Sequence, residues 1–580
     1  MIYERLEVRK ILFLSVIVGV VAGLFTVAFI KTLDFSTHCF LTEIVGYTPP
    51  KPSGEGGELN YTFHMERAWL LPFVTALGGL ITGILIYLFS PESAGVGTDA
   101  AIKAFHHNLP VGFKTAVMKL LTSAVTIGSG GASGREGPMA LIGASIGKGV
   151  AKWLKLSPRE QNILLAAGLG AGIGAMFRAP FAGGILSAEV FYKEDFEVEA
   201  LIPGFVASIV AYIVAGSVIG FAPLFHTEVP FPHFSQETII GFILLGIVSA
   251  VVAKVLVKTF FTLRNSFKKL KVHPILKPAI GGFLVGICGL ITPLAIGNSY
   301  GWIQMFMSNR PIPFSVGELL LSIFIVILAL SITLGSGGSG GVFGPSLVIG
   351  GITGATLSEA LNALLGEPVF NTGVMTIVGM ISVFTAVASA PLSTIVLVAE
   401  MTQGYNILPL ALISLLLAQV IAGNEKTIFE SQVKRRIDSP LHKDELKAYI
   451  LETAKVKDIM TRNVITLSPE DTALRAKEIM AERFIAGIPI TVNGRVVGIV
   501  TTSDILKVEP EKLKEVKLKE IMTPNPQCVL PDWTLLKVMR ILTSKGFGRA
   551  PVVSDFESMK LVGIVSRSDI GKFLIKKGVA

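Results

Sequence analysis

Gly128-Ser-Gly-Gly-Ala-Ser-Gly-Arg-Glu-Gly-Pro138 and Gly335-Ser-Gly-Gly-Ser-Gly-Gly-Val-Phe-Gly-Pro345 agree at seven of eleven positions. About forty residues beyond each tract a second match follows: Ala179-Pro180 leading to Ala188-Glu189, and Ala390-Pro391 leading to Ala399-Glu400. Two matches in the same order mark a duplicated segment, not one chance glycine cluster. The repeats are expected over approximately residues 10–225 and 235–435. Each tract opens onto an apolar stretch, Met139–Val150 and Ser346–Leu365. Both read as short or interrupted against the roughly 20 residues of a spanning helix.

The surrounding composition is that of a membrane protein. Of 580 residues 51% are hydrophobic and 16% charged, against about 25% charged in a soluble domain. Apolar runs recur from Ile11 to about Ala422, and after Asn424 the chain turns rich in Lys and Glu. The run Ile11–Ile30 has no small-residue cleavage site and is expected to be a first span. The net charge of +9 is concentrated at segment ends: Arg5, Arg9 and Lys10 before that run, Lys434, Arg435 and Arg436 after the last. That placement follows the positive-inside rule, predicts cytoplasmic N- and C-termini, and argues against nucleic acid as a partner. Three scattered cysteines (Cys39, Cys288, Cys528) form neither a disulfide framework nor a metal-ligand set.

Irregular backbone inside a bilayer is tolerated only where protein buries it or it lines a cavity. Each glycine tract therefore predicts a helix beginning near mid-membrane. Its first N–H groups are unpaired, its end carries about half a positive charge, and glycine lets an ion approach closely. Such an end binds anions, and two facing ends make an anion site that needs no buried lysine. The competing reading is that the glycines only let helices pack. Glu136 favours the ion site, since an intramembrane carboxylate is costly and marks function by default. Ionised, it competes for the anion position; protonated, it lets go. A salt bridge to the adjacent Arg135 is the alternative, disfavoured because helix neighbours do not face each other.

These residues resemble the signatures of the chloride channel/transporter (CLC) family. Gly134-Arg135-Glu136-Gly137-Pro138 is similar to its gating-glutamate motif. Gly341-Val342-Phe343-Gly344-Pro345 resembles its second anion loop, and Pro91-Glu-Ser-Ala-Gly-Val-Gly-Thr98 its first. The resemblance covers about residues 10–435. It implies an α-helical polytopic membrane protein, a CLC-type inverted repeat with broken helices, in a homodimer whose subunits each carry a pore through the lipid. By the same resemblance Val96, Gly97, Arg135, Glu136, Gly137, Val342, Phe343, Gly344 and Phe429 surround the anion, and Glu136 gates and carries a proton. Three positions depart from the family pattern. Val96 replaces an anion-contacting serine, Phe429 replaces the tyrosine closing the inner side, and Val190 replaces the inner proton-accepting glutamate. Loss of two hydroxyls implies weaker preference for chloride over nitrate. Glu189, Thr402 or water would have to serve as the inner acceptor.

Beyond the linker (436–455) a shorter repeat appears. Val456-Lys-Asp-Ile-Met-Thr461 returns as Leu518-Lys-Glu-Ile-Met-Thr523, and Gly498-Ile-Val-Thr-Thr-Ser-Asp504 as Gly563-Ile-Val-Ser-Arg-Ser-Asp569. Helical patterns (Ala473–Glu482, Leu535–Ser544) and β-rich runs (Ile488–Val492, Val496–Val500, Leu561–Val565) lie between. This resembles a soluble α/β tandem of CBS domains, 456–510 and 511–580. The resemblance implies clefts for ATP, ADP or AMP, with Thr501, Asp504, Ser566 and Asp569 facing phosphate and ribose. Alternatively the two aspartates are helix N-caps and the pair is structural.

The expected function is transport of chloride or a similar small anion across a prokaryotic cell membrane, coupled to protons, with no cofactor required. The alternatives are a passive chloride channel, a CBS-regulated divalent-cation transporter, and a sensor without transport. The cation reading wants several intramembrane carboxylates as hard oxygen ligands, where the tracts hold one. An intramembrane metalloprotease would need His-Glu-x-x-His, and none of the eight histidines provides it; the chain is not expected to be an enzyme.

Overall fold

A computed structural model describes residues 2–57, 63–227, 235–308, 312–423 and 426–578. Of the positions read above, the Arg5 side chain and Asn424 lie outside the described residues. The chain divides into two compact units, residues 1–436 and 437–580.

Among the described residues the first unit forms two series of helices that correspond one to one. The first series is α1 (Ile2–Thr37), α2 (Leu71–Phe89), α3 (Gly97–His106), α4 (Phe113–Gly128), α5 (Glu136–Trp153), α6 (Pro158–Phe177), α7 (Pro180–Glu189) and α8 (Val198–Ile219). The second is α9 (Gln236–Lys269), α10 (Leu276–Ile291), α11 (Tyr300–Phe306), α12 (Val316–Gly335), α13 (Phe343–Leu365), α14 (Thr372–Ala388), α15 (Pro391–Thr402) and α16 (Leu408–Ala422). Packing repeats along with the order. Helix α5 lies on α6 as α13 lies on α14, α6 on α8 as α14 on α16, and α1 on α8 as α9 on α16. The series join where α2 meets α10 and α7 meets α15.

Local sequence explains the starts. Ser157 and Ser315 open α6 and α12 with capping boxes to Glu160 and Glu318. Pro158, Pro180 and Pro391 sit in the first turn of α6, α7 and α15, where a missing N–H costs nothing. Seven helical segments among the described residues are long and apolar enough to cross a membrane. Phe343–Leu365 is one of them, at 23 residues. Its sequence reads as too short or interrupted because Gly350, Gly351 and Gly354 fall inside it. They do not break it. A Cβ on Gly350 would overlap the Gly379 carbonyl of α14, and one on Gly143 of α5 that of Gly168 on α6. The packing role of small residues thus holds in the helix bodies, while the tracts ahead of them are irregular.

The recurring Ala-Glu pair also finds its place here. Glu189, at the end of α7, accepts from the backbone N–H of Leu392 (3.0 Å) and Ser393 (2.7 Å) at the start of α15. Glu400 on α15 accepts from Phe181 (3.2 Å) and Ala182 (2.8 Å) at the start of α7. Each repeat caps a helix of the other.

Two short strands of the first unit, β1 (Gly95–Val96) and β2 (Ser339–Gly340), pair with each other. In the second unit, β3 (Gly487–Val492) and β4 (Arg495–Thr501) form an antiparallel hairpin that β5 (Thr523–Pro524) extends. Strands β6 (Arg549–Val553) and β7 (Leu561–Ser566) form the second hairpin, also antiparallel. Each hairpin is backed by a helix, α17 (Ala473–Arg483) or α18 (Leu535–Ser544), over its own apolar core. The leading segments are exchanged. Thr461 of the first half bridges Ile564 of β7, while Thr523 of the second pairs with Ile499 of β4. The two halves are therefore one α/β unit.

Candidate anion site

Three irregular loops meet ahead of α3, α5 and α13. The first enters as a two-residue strand, Gly95–Val96, paired in parallel with Ser339–Gly340 of the third. The second joins through Gly134, whose N–H donates to the Gly341 carbonyl at 2.9 Å. Small side chains satisfy the buried backbone. Ser133 Oγ accepts from Gly341 N–H at 2.8 Å. Ser339 donates to the Ser93 carbonyl at 2.9 Å, and its N–H reaches Thr126 Oγ1 at 3.2 Å. The first N–H groups of α5 and α13, which begin beside these loops, have no partner within their own helices.

Of the predicted anion-site residues, Val96, Gly97, Arg135, Glu136, Gly137, Val342, Phe343 and Gly344 lie at this junction. Val96 is the N-cap of α3, Arg135 that of α5 and Val342 that of α13. Gly97 packs on the backbone of Gly137 so closely that a Cβ would overlap it. Phe343 is buried and its ring lies 3.9 Å from Phe384. Phe429 is also buried, lining a 700 Å³ cavity with Lys193, Lys254, Lys258 and Lys426. Its neighbours Ile428 and Glu430 line a separate 920 Å³ cavity shared with Val96 and Asp99.

Glu136 is the first residue of α5 and has no exposed surface. Its Oε1 accepts from the Tyr300 hydroxyl at 2.6 Å. Its Oε2 has no hydrogen-bond partner among the described residues. A Cβ on Gly344, the second residue of α13, would lie 2.7 Å from that oxygen. The carboxylate thus stands between the starts of two helices. The expectation that Arg135 leaves it alone is corrected: Arg135 Nε lies 3.6 Å from Oε1, and its guanidinium pairs with Glu55. Arg135 is at the N-cap, where no preceding turn crowds a long side chain.

Lys119 of α4 is fully buried behind the first loop, its ammonium donating to Ser93 and Gly95 carbonyls at 2.9 Å each. Lys119 and Tyr300 are the residues sequence reasoning missed. Lys119 carried a readable signal, a lysine inside the apolar run of α4; Tyr300 carried none.

Val190, Glu189 and Thr402 each have hydrogen-bond partners in the structure. Val190 is buried and its carbonyl accepts from Gln432 at 3.1 Å. Glu189 caps α15, and Thr402 donates to the Val398 carbonyl of its own helix at 2.7 Å. Asp99, in the first turn of α3, lines the larger cavity and accepts from Ser431 N–H at 2.8 Å.

In the second unit, Thr501 and Ser566 are the helix N-caps, not the aspartates. Asp504 accepts from the Thr501 N–H (2.9 Å) and hydroxyl (2.7 Å), and Asp569 likewise from Ser566 (2.8 and 2.7 Å). Both pairs are capping boxes.

The sequence model of the voltage-gated chloride channel family matches residues 78–423, and that of the CBS domain matches residues 456–511 and 518–576. The chain is 30% identical over 430 residues to the H(+)/Cl(-) exchange transporter ClcA of Salmonella typhi, covering 71% of this chain and 86% of the relative. It is 27% identical over 415 residues to the voltage-gated ClC-type chloride channel ClcB of Salmonella typhimurium, covering 71% and 95%. The crystal structure of a slow cyanobacterial Cl-/H+ antiporter superposes with a TM-score of 0.61 at 24% identity, over 72% of this chain and 96% of that one. With duplicated helices, converging glycine loops and these matches together, the chain belongs to the voltage-gated chloride channel (CLC) family and carries a tandem pair of CBS domains.

Proposed function

We propose that the protein exchanges chloride, or a similarly small anion, for protons across a membrane, with Glu136 as gate and proton carrier. The observation that carries this reading is the position of the Glu136 carboxylate between the starts of α5 and α13, where N–H groups favour negative charge. While ionised it holds the anion's place. Protonated, it loses that attraction and swings clear, so one residue opens the path and moves one proton. The relative named as an exchange transporter supports coupling. On the inner side Val190 cannot accept a proton, and Glu92, Asp99 and Glu430 are the carboxylates that line the cavity shared with Val96.

The second reading is a passive channel, supported by the relative named as a channel and by the valine at 190. The deciding measurement is the reversal potential of protein reconstituted in liposomes under opposed chloride and pH gradients. Exchange predicts a potential that moves with the pH difference; a potential set by chloride alone makes the protein a channel. Cation flux without anion flux would refute both and favour the divalent-cation alternative. The positive-inside pattern supports cytoplasmic termini in a prokaryotic cell membrane. The family supports a homodimer, and the CBS pair supports adenine-nucleotide regulation through Thr501, Asp504, Ser566 and Asp569.

A further inference from the structure

We propose that Tyr300, with Arg135 and Glu55, forms a latch that holds the Glu136 carboxylate in its blocking position, and that glycine at 344 is what makes room for it. The proposal rests on Glu136 being the gate. Tyr300 begins α11, the counterpart in the second series of α3, whose start forms the first anion loop. Its side chain is fully buried, and its ring meets Phe225 edge-on at 5.7 Å, which fixes where the hydroxyl points. That hydroxyl donates to Glu136 Oε1 at 2.6 Å. A hydrogen bond of this kind strengthens the ionised carboxylate against the protonated one.

Arg135 completes the arrangement. Its guanidinium carbon lies 5.5 Å from the centre of the Tyr300 ring, its Nε 3.6 Å from Glu136, and its far nitrogen pairs with Glu55. Glu55 belongs to a short helical turn, Ser53–Glu55, and lines a 370 Å³ cavity that Arg135 also reaches. The charged and titratable groups facing the gate are thus Arg135, Glu55 and Tyr300; Lys119 is turned to the backbone carbonyls of the first loop. Position 344 decides whether the latch fits. Any Cβ there would stand 2.7 Å from Glu136 Oε2 and overlap the Tyr300 hydroxyl. The latch acts on the gate, so Tyr300 is a positioning residue and not a carrier of anion or proton.

The test is anion efflux from liposomes against pH, set equal on both sides, for wild type, Tyr300→Phe, Gly344→Ala and Glu136→Gln. Removing the hydroxyl leaves the carboxylate easier to protonate. The latch predicts that Tyr300→Phe moves half-maximal flux to higher pH by about one to two units and raises flux at neutral pH several-fold. Gly344→Ala, which displaces the hydroxyl by a methyl, should shift the profile the same way and stands in if Tyr300→Phe does not fold. On a Glu136→Gln background Tyr300→Phe should add nothing. An unshifted profile in both variants, with pH dependence abolished in Glu136→Gln, refutes the latch and leaves the gate standing. Equal increases with and without Glu136 would mean the tyrosine acts through packing, and also refute it. Wild-type pH dependence retained in Glu136→Gln would overturn the gate, and the latch with it.

Discussion

Lys119 is fully buried in the membrane unit and offsets the desolvation of its ammonium with two carbonyls of the loop that precedes α3. Lys119→Met keeps the stem and removes the charge, so both carbonyls lose a charged donor. We expect a loss of about 1–3 kcal/mol in thermal stability in detergent and a several-fold weaker chloride affinity by calorimetric titration. Unchanged affinity would confine Lys119 to a structural role. The contrast with Tyr300 shows what sequence can carry at this scale. Lysine in an apolar helix announces itself by cost alone. Tyr300 lies 164 residues from Glu136 and within no motif, and its bond exists only because the fold brings α11 against α5 and α13. Glu136 was legible because its charge and its glycine neighbours are adjacent in sequence; its partners were not.

Helix by helix, the two halves are held by acids that cross between them. Glu189 and Glu400 each take two backbone N–H groups at the other repeat's helix start. Glu189→Ala should cost about 1–3 kcal/mol in thermal stability, since the buried Ser393 loses the acceptor of both its N–H and its hydroxyl. Glu400→Ala should cost less, since Glu400 accepts from two backbone N–H groups and no hydroxyl. Neither change should move the reversal potential under opposed gradients, and a shift in that potential would return Glu189 to the proton path. The Ala-Glu pairs were visible as a repeat, and the glycine tracts as helix starts. What the pairs do was not visible, because a cap across an interface has no spacing to read. Helix α13 misled for a related reason: Gly350 and Gly354 look like breaks until α14 is seen lying against them.

Over the whole chain, the change of composition near residue 424 and the two nested repeats were enough to read a helical membrane unit followed by a paired α/β unit. One strand of that pair, Arg549–Val553, went unread: Pro551 argues against a strand, yet β6 pairs with β7 and bridges Val529 on its other side. The capping boxes at Thr501 and Ser566 change how nucleotide binding must be tested. Asp504→Ala and Asp569→Ala each break a capping box, at about 0.5–2 kcal/mol, with or without ligand. The informative quantity is the further stabilisation on adding ATP, ADP or AMP, expected to be about 2.7 kcal/mol at a hundredfold excess over Kd. It should vanish in the variant whose cleft is used and persist in the other. Identical melting curves for the full-length protein with and without all three nucleotides would leave the pair a structural module.

The crossed acids also bear on what half of the chain can do by itself. A single repeat expressed alone presents a helix start with no carboxylate to meet it and a carboxylate with no helix start to fill. Two halves supplied together restore both contacts, each lending its glutamate to the other. A change at either glutamate strands a helix start in its sibling.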